Sequence, residues 1–299
     1  MIRRIVSWLV ALTLCFSLFP IGAMAVDDIS STGMTIADAS DALSKAGNYT
    51  AGGGTVDVIY DSNTQTVTFT MNGAALTGGF NVTGVNAQLN LTGENSISSI
   101  SVKSGNLTIC GEGKLTAESS GCTIYCSGDI VVDESTVIVN SRDHNGFHAE
   151  GNITFQNGAA ISGETAVPMI YADKDVQIDG STVNACSTGL NGTWINGSLT
   201  IHNESKVTAN GYYSGIGAIG VTIKNSEVEA SSDADAGIWT RDSVLIIQSG
   251  SKVTADGYNN GIVANGVTVE NSEVKVSGEN GHGILSLRGD VIITDGNIT

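Results

Sequence analysis

The chain has 299 residues, of which 30 are acidic and 13 basic, giving a formal net charge of −17. That balance argues against nucleic acid and anionic membrane as partners. Glycine is abundant at 38 residues, proline nearly absent at 2, and only 14% of positions are charged, which suits a soluble extracellular chain built from short strands and turns.

Residues 1–25 read as a secretory signal peptide. Arg3 and Arg4 give the positive start, Ile5 to Phe19 the apolar stretch, and Ala23-Met24-Ala25 the small-x-small cleavage site. No later stretch is apolar and long enough to span a bilayer, so the expectation after cleavage is a secreted or cell-surface protein with no transmembrane segment. Residues 26–66 fall outside the repeat that follows and read as an N-terminal cap. Within them Ile36, Ala39, Leu43 and Ala46 are spaced for one face of a short helix, with Gly47 as its stop. Residues 67–106 open the repeat irregularly, through Val67-Thr-Phe, Phe80-Asn-Val and Leu89-Asn-Leu.

From Leu107 onward an apolar triplet returns every 22 to 24 residues, at Leu107, Ile130, Ile153, Val176, Leu199, Val221, Leu245, Val267 and Val291. Residues 199–244 and 245–290 align without a gap, so coils alternate between a long and a short form, differing by one residue before the second strand. Apolar and polar residues alternate within each segment, as in Leu199-Thr-Ile-His, and Val, Ile and Thr dominate, which is strand chemistry. Equivalent positions carry the same side-chain class coil after coil. The column Ile124, Phe147, Ile170, Thr193, Ile216, Ile238, Ile262, Ile284 is one case, and the small-residue column two positions on is another. That is the pattern expected when each residue stacks on its own counterpart. The predicted fold is therefore all-β, a right-handed single-stranded parallel β-helix over residues 67–299 with a short N-terminal cap. A propeller is the runner-up. The last triplet opens at Val291 and no capping segment follows it, so the solenoid is expected to be truncated.

The runs Val67-Thr-Phe-Thr, Leu89-Asn-Leu-Thr-Gly-Glu-Asn-Ser-Ile and Leu107-Thr-Ile-Cys-Gly-Glu-Gly-Lys-Leu-Thr-Ala resemble exported β-helical carbohydrate-binding domains of Firmicutes, described for cellulose and acidic sugars. The resemblance spans roughly residues 60–299 and implies a non-catalytic, surface-associated module, assisted by calcium. It carries no calcium ligand onto a particular residue of this chain.

Chemistry-bearing clusters are thin. Asp133 and Asp179 share an outward column two coils apart with Gln156 between them, and Asp233, Asp235 and Asp242 lie in turns. Arg241 and Arg288 lie on one side, Asp143-His144 sits in a turn, and His202 and His282 are isolated. Neither a nucleophile triad, a phosphate loop nor a metal spacing emerges, so no catalytic or metal residue is assigned. The four cysteines after the leader, Cys110, Cys122, Cys126 and Cys186, admit a Cys110–Cys122 or Cys122–Cys126 bridge or four free thiols. The strongest candidate site lies between the two inward columns, at Tyr125, His148, Tyr171, Trp194, Gly217, Trp239, Val263 and Leu285. Strand alternation turns this column outward. Rings occupy five of its first six places, including two of the three tryptophans. Coil spacing places Trp194 and Trp239 roughly 10 Å apart, about one disaccharide of an extended glucan. The expected function is a non-catalytic carbohydrate-binding or adhesive module holding a polysaccharide or cell-wall glycan at Tyr125, His148, Tyr171, Trp194 and Trp239. A polysaccharide lyase or hydrolase and a structural stalk are the alternatives.

Overall fold

The computed structural model describes residues 27–299; the signal-peptide reading lies outside them. The chain is a parallel β-solenoid of about 10 turns, 61% strand and 2% helix. Each coil lays down three strands, on three faces. The first face stacks the opening triplets, with Leu107 over Ile130, Ile153, Val176, Leu199, Val221, Leu245, Val267 and Val291 in unbroken register. The second face runs from Lys114–Ser119 through Thr136–Ser141 and onward to Asn297–Ile298. The third stacks Ile124 on Phe147, Ile170, Thr193, Ile216, Ile238, Ile262 and Ile284. Two coils join the third face to the next coil's first face in one long strand, Thr193–His202 and Ser214–Lys224.

Period-two alternation sends every second side chain inward. Ile216, Ile238 and Ile262 are fully buried, and each such isoleucine contributes roughly 1.5–3 kcal/mol. Phe147 and Phe155 meet edge to face across the interior, with ring centroids 5.4 Å apart. Two expectations of burial fail at the last coil. Ile284 is only half-buried and Val291 is 43% exposed, each stacked on one side alone, against Ile262 and Val267. Thr193 takes an isoleucine's place in the third-face column, and its hydroxyl is buried without a hydrogen-bond partner.

The long and short coils have a backbone cause. Between the first and second faces the short coils turn on one left-handed residue, at Glu134, Gly180, Asn225 or Asn271. Three of the long coils use two in succession, Asn157-Gly158, Asn203-Glu204 and Ser249-Gly250, and the coil opened by Leu107 turns on Gly111 alone. A small residue closes most of these turns on the inside. Ser135, Ser181, Ser205, Ser226, Ser251 and Ser272 are buried, and each hydroxyl donates to a nearby backbone carbonyl. The extra residue is thus absorbed in the turn, and the strands on either side keep their register.

At the N-terminus Gly33–Ile36 pairs in parallel with Gly79–Thr83, at the start of the third face. Thr66–Asn72 starts the first face; it pairs antiparallel with Gly54–Asp61, which pairs antiparallel with Gly47–Ala51. These hairpins cover an edge that would otherwise expose unpaired backbone. The helix between them spans only Ala39–Ser44, capped by the Asp38 carboxylate, which accepts from the Asp41 N–H at 2.9 Å. Its expected face is corrected. Ile36 lies in the preceding strand, Ala42 is the buried helical residue, and Leu43 is 66% exposed. Six residues make under two turns, so the strands entering at Ile36 and leaving at Gly47 decide which side packs.

Candidate functional site

The ring column is continuous in register. Tyr125 pairs with His148, then Tyr171, Trp194, Gly217, Trp239, Val263 and Leu285. Tyr125, His148, Tyr171, Trp194 and Trp239 are all half-buried on the outer side of the third face. Val263 departs from the expectation of an outward residue, being only 7% exposed.

The rings do not lie as parallel plates. Tyr125 and His148 meet edge to face at 5.3 Å and 86°, and His148 and Tyr171 at 4.7 Å and 68°. The expected separation of the tryptophans is also corrected, because their ring centroids are 5.7 Å apart with planes tilted by 35°. Gly217 is the reason. It occupies the column between them without a side chain, so Trp194 leans over it; a Cβ built there would lie 3.2 Å from Trp194 Cε3. The Arg241 guanidinium carbon stands 4.9 Å from the Trp194 ring centroid, in cation–π contact.

A polar rail runs beside the rings. Arg241 Nη2 donates to Asn196 Oδ1 at 2.9 Å. The Asn196 amide donates in turn to the Tyr171 hydroxyl oxygen at 3.1 Å and to Asp173 at 3.0 Å. Tyr171 donates its own proton to Asp173 at 3.1 Å, and Tyr125 donates to Glu150 at 2.6 Å. The Glu150 carboxylate, accepting that proton, pushes the Tyr125 hydroxyl up to about 12. Burial first and Asp173 second raise Tyr171. Burial holds the His148 imidazole below its ordinary value despite the nearby Asp173 and Glu150. Arg241 Nε is buried and has no partner.

Other candidates from the sequence are held in local pairings. Asp133 accepts from Gln156 and Asn157 at 3.1 and 2.8 Å. Asp179 accepts from Asn203 at 2.6 Å and faces His202 at 3.5 Å. Asp143-His144 serves its turn, where the His144 N–H donates to Ser141 Oγ. Lys206 and Glu227 pair loosely at 3.9 Å on the surface. Cys110, Cys122, Cys126 and Cys186 are all free thiols, and burial pushes Cys122 up to about 12 and Cys126 to about 11. Among the described residues no three His, Cys, Asp or Glu side chains gather where a metal ion could sit, and no helix is long and apolar enough to cross a membrane.

One feature escaped the sequence reading. At the edge where the second face turns into the third, Tyr212, Tyr213 and Tyr258 are 43%, 49% and 46% exposed. Their signal was present in the repeat, where Gly211-Tyr212 returns as Gly257-Tyr258, but only the turn geometry shows that these rings point into solvent. Comparison with known proteins gave no match, whether to a family model, a curated relative or a solved structure.

Proposed function

We propose that this chain is a secreted or cell-surface, non-catalytic carbohydrate-binding module that holds a polysaccharide or cell-wall glycan along the outer side of its third face. One observation carries the reading. In a chain with 5% aromatic residues, Tyr125, His148, Tyr171, Trp194 and Trp239 follow one another in register on one face. Beside them runs a rail of amide, carboxylate and guanidinium groups. Rings supply apolar contact for the C–H faces of sugars, and the rail supplies donors and acceptors for hydroxyls. The leader-like residues 1–25, the acidic balance and the resemblance to β-helical carbohydrate-binding domains support the same reading. Glycoside hydrolysis needs a juxtaposed pair of working carboxylates, and Asp133 and Asp179 stand two coils apart, each accepting from neighbouring amides.

The test is retention on soluble and insoluble polysaccharides. Trp194→Ala and Trp239→Ala should each weaken retention by about fivefold to tenfold, the worth of one lost ring contact. Each should also lower stability by about 1 kcal/mol, because the ring pair is broken. Retention that survives both substitutions assigns the column to cross-coil packing alone and refutes the proposal.

A further inference from the structure

We infer that the tyrosine edge formed by Tyr212, Tyr213 and Tyr258 is a second binding strip, selective for a neutral, extended glycan. This deepens the carbohydrate-binding reading and rests on it, but the residues, the face and the ligand charge are different from those of the ring column.

The geometry begins with the backbone. Gly211 and Gly257 precede Tyr212 and Tyr258 at equivalent points of coils two apart. A Cβ at either glycine would collide with the carbonyl oxygen of Ser214 or Asn260, so the chain passes tightly there and the next residue is turned outward. The turns are then tied down. Tyr213 N–H donates to Leu190 O at 3.1 Å, and Tyr258 N–H to Ser232 O at 3.1 Å. Ser232 Oγ donates to the Tyr212 and Tyr213 carbonyls at 3.0 and 2.8 Å. The rings thus stand on fixed backbone, which lowers the ordering cost of binding. Tyr212 and Tyr213 support each other edge to face at 5.0 Å. Among the described residues no side-chain or backbone group accepts a proton from any of the three phenolic hydroxyls.

The spacing differs from that of the tryptophans. Tyr212 and Tyr258 project from turns two coils apart, roughly 10 Å along the stack. The coil between them turns through Asp233-Ala234-Asp235, with no large side chain to fill the gap. A groove of about 450 Å³ opens beside it, lined by Ser231, Ser232, Asp233, Asp256, Tyr258 and Glu279. Two exposed rings roughly 10 Å apart, with a polar groove running past Tyr258, match a chain whose apolar faces recur at about that interval.

Charge selects the class. Hydroxyls and carboxylates line the groove, and no lysine or arginine does. Carboxylates accept from sugar hydroxyls but repel uronates and sulfated sugars. The ring column, by contrast, holds Arg241 against Trp194.

The test is affinity electrophoresis of the full chain through hydroxyethylcellulose, with polygalacturonate as the polyanionic probe. Replacing Tyr212, Tyr213 and Tyr258 together by alanine should weaken retardation by hydroxyethylcellulose at least roughly tenfold. The corresponding triple phenylalanine variant should stay within about twofold of the parent, because the rings remain. The phenylalanine variant should keep the parent's thermal midpoint, whereas the triple alanine variant loses the Tyr212–Tyr213 edge contact and should melt slightly earlier; Tyr258→Ala alone gives the same reading should the triple alanine variant not fold. Wild-type retardation in the alanine variant overturns the tyrosine strip and leaves the ring column standing. Retardation by polygalacturonate that the alanine variant abolishes overturns the neutral class. A parent chain retarded by neither probe overturns both the strip and the carbohydrate-binding reading.

Discussion

Replacing Gly217 by isoleucine places a side chain between Trp194 and Trp239, which now close to 5.7 Å over an empty position. A Cβ alone would already lie 3.2 Å from Trp194 Cε3, 3.1 Å from Asn191 Nδ2 and 3.3 Å from Thr193 O. The full side chain must therefore push the indoles apart. The new separation approaches two coil spacings, roughly 10 Å. Coupling between two indole transition dipoles falls with the cube of distance. Rotational strength grows in proportion to the separation, so the couplet itself falls with the square, and moving from 5.7 Å to roughly 10 Å should leave about one third of the exciton couplet in the circular dichroism spectrum. Trp194→Ala and Trp239→Ala should each abolish it, which assigns the signal to this pair and not to Trp8. The isoleucine should also cost about 1–3 kcal/mol in denaturant unfolding, the usual range for overpacking. A couplet that keeps its amplitude in Gly217→Ile, or that survives Trp239→Ala, refutes the closed indole pair.

Phe147→Ala and Phe155→Ala should each destabilise by about 3–5 kcal/mol, and a double-mutant cycle should return about 0.5–1.5 kcal/mol of coupling from their edge-to-face contact; a coupling near zero would place the rings apart. Burial of His148 between Tyr125 and Tyr171 depresses its pKa below the ordinary 6.5. The unfolded chain therefore binds this proton more readily. The associated stability is present above pH 6.5 and is lost as pH falls through the lower folded value. Unfolding midpoints measured across that window should flatten in His148→Gln, and an unchanged slope would remove His148 as the cause. Glu204 holds a left-handed φ of 61° where the matching turn two coils on has Gly250. Glu204→Gly should therefore raise stability by up to about 1 kcal/mol in thermal unfolding, and a loss would mean that its side chain supports the turn.

The coil stack was legible because a solenoid writes its contacts into its period. Leu107 to Val291 and Ile124 to Ile284 align by counting, and the same pairs meet in the structure. The outward column from Tyr125 to Leu285 followed by the same counting. The long and short coils were visible as a one-residue shift, but their cause, one left-handed residue or two, belongs to the backbone. The cap was less legible, since a six-residue helix has too little periodicity to show which side packs.

Sequence by itself therefore determined which residue lies above which, because in parallel stacking a column is a repeated sequence position. It also determined which columns face in, because strand side chains alternate. The tertiary structure decided what the outward side chains do. Trp194 leans onto Trp239 across Gly217, Arg241 caps Trp194, Asn196 and Asp173 bind Tyr171, and Tyr212, Tyr213 and Tyr258 are left in solvent. Such rotamers answer to neighbours one and two coils away, 23 to 45 residues off in sequence, and to the direction a turn gives its side chains. Period fixes an address along the stack, and packing fixes where the side chain points from it.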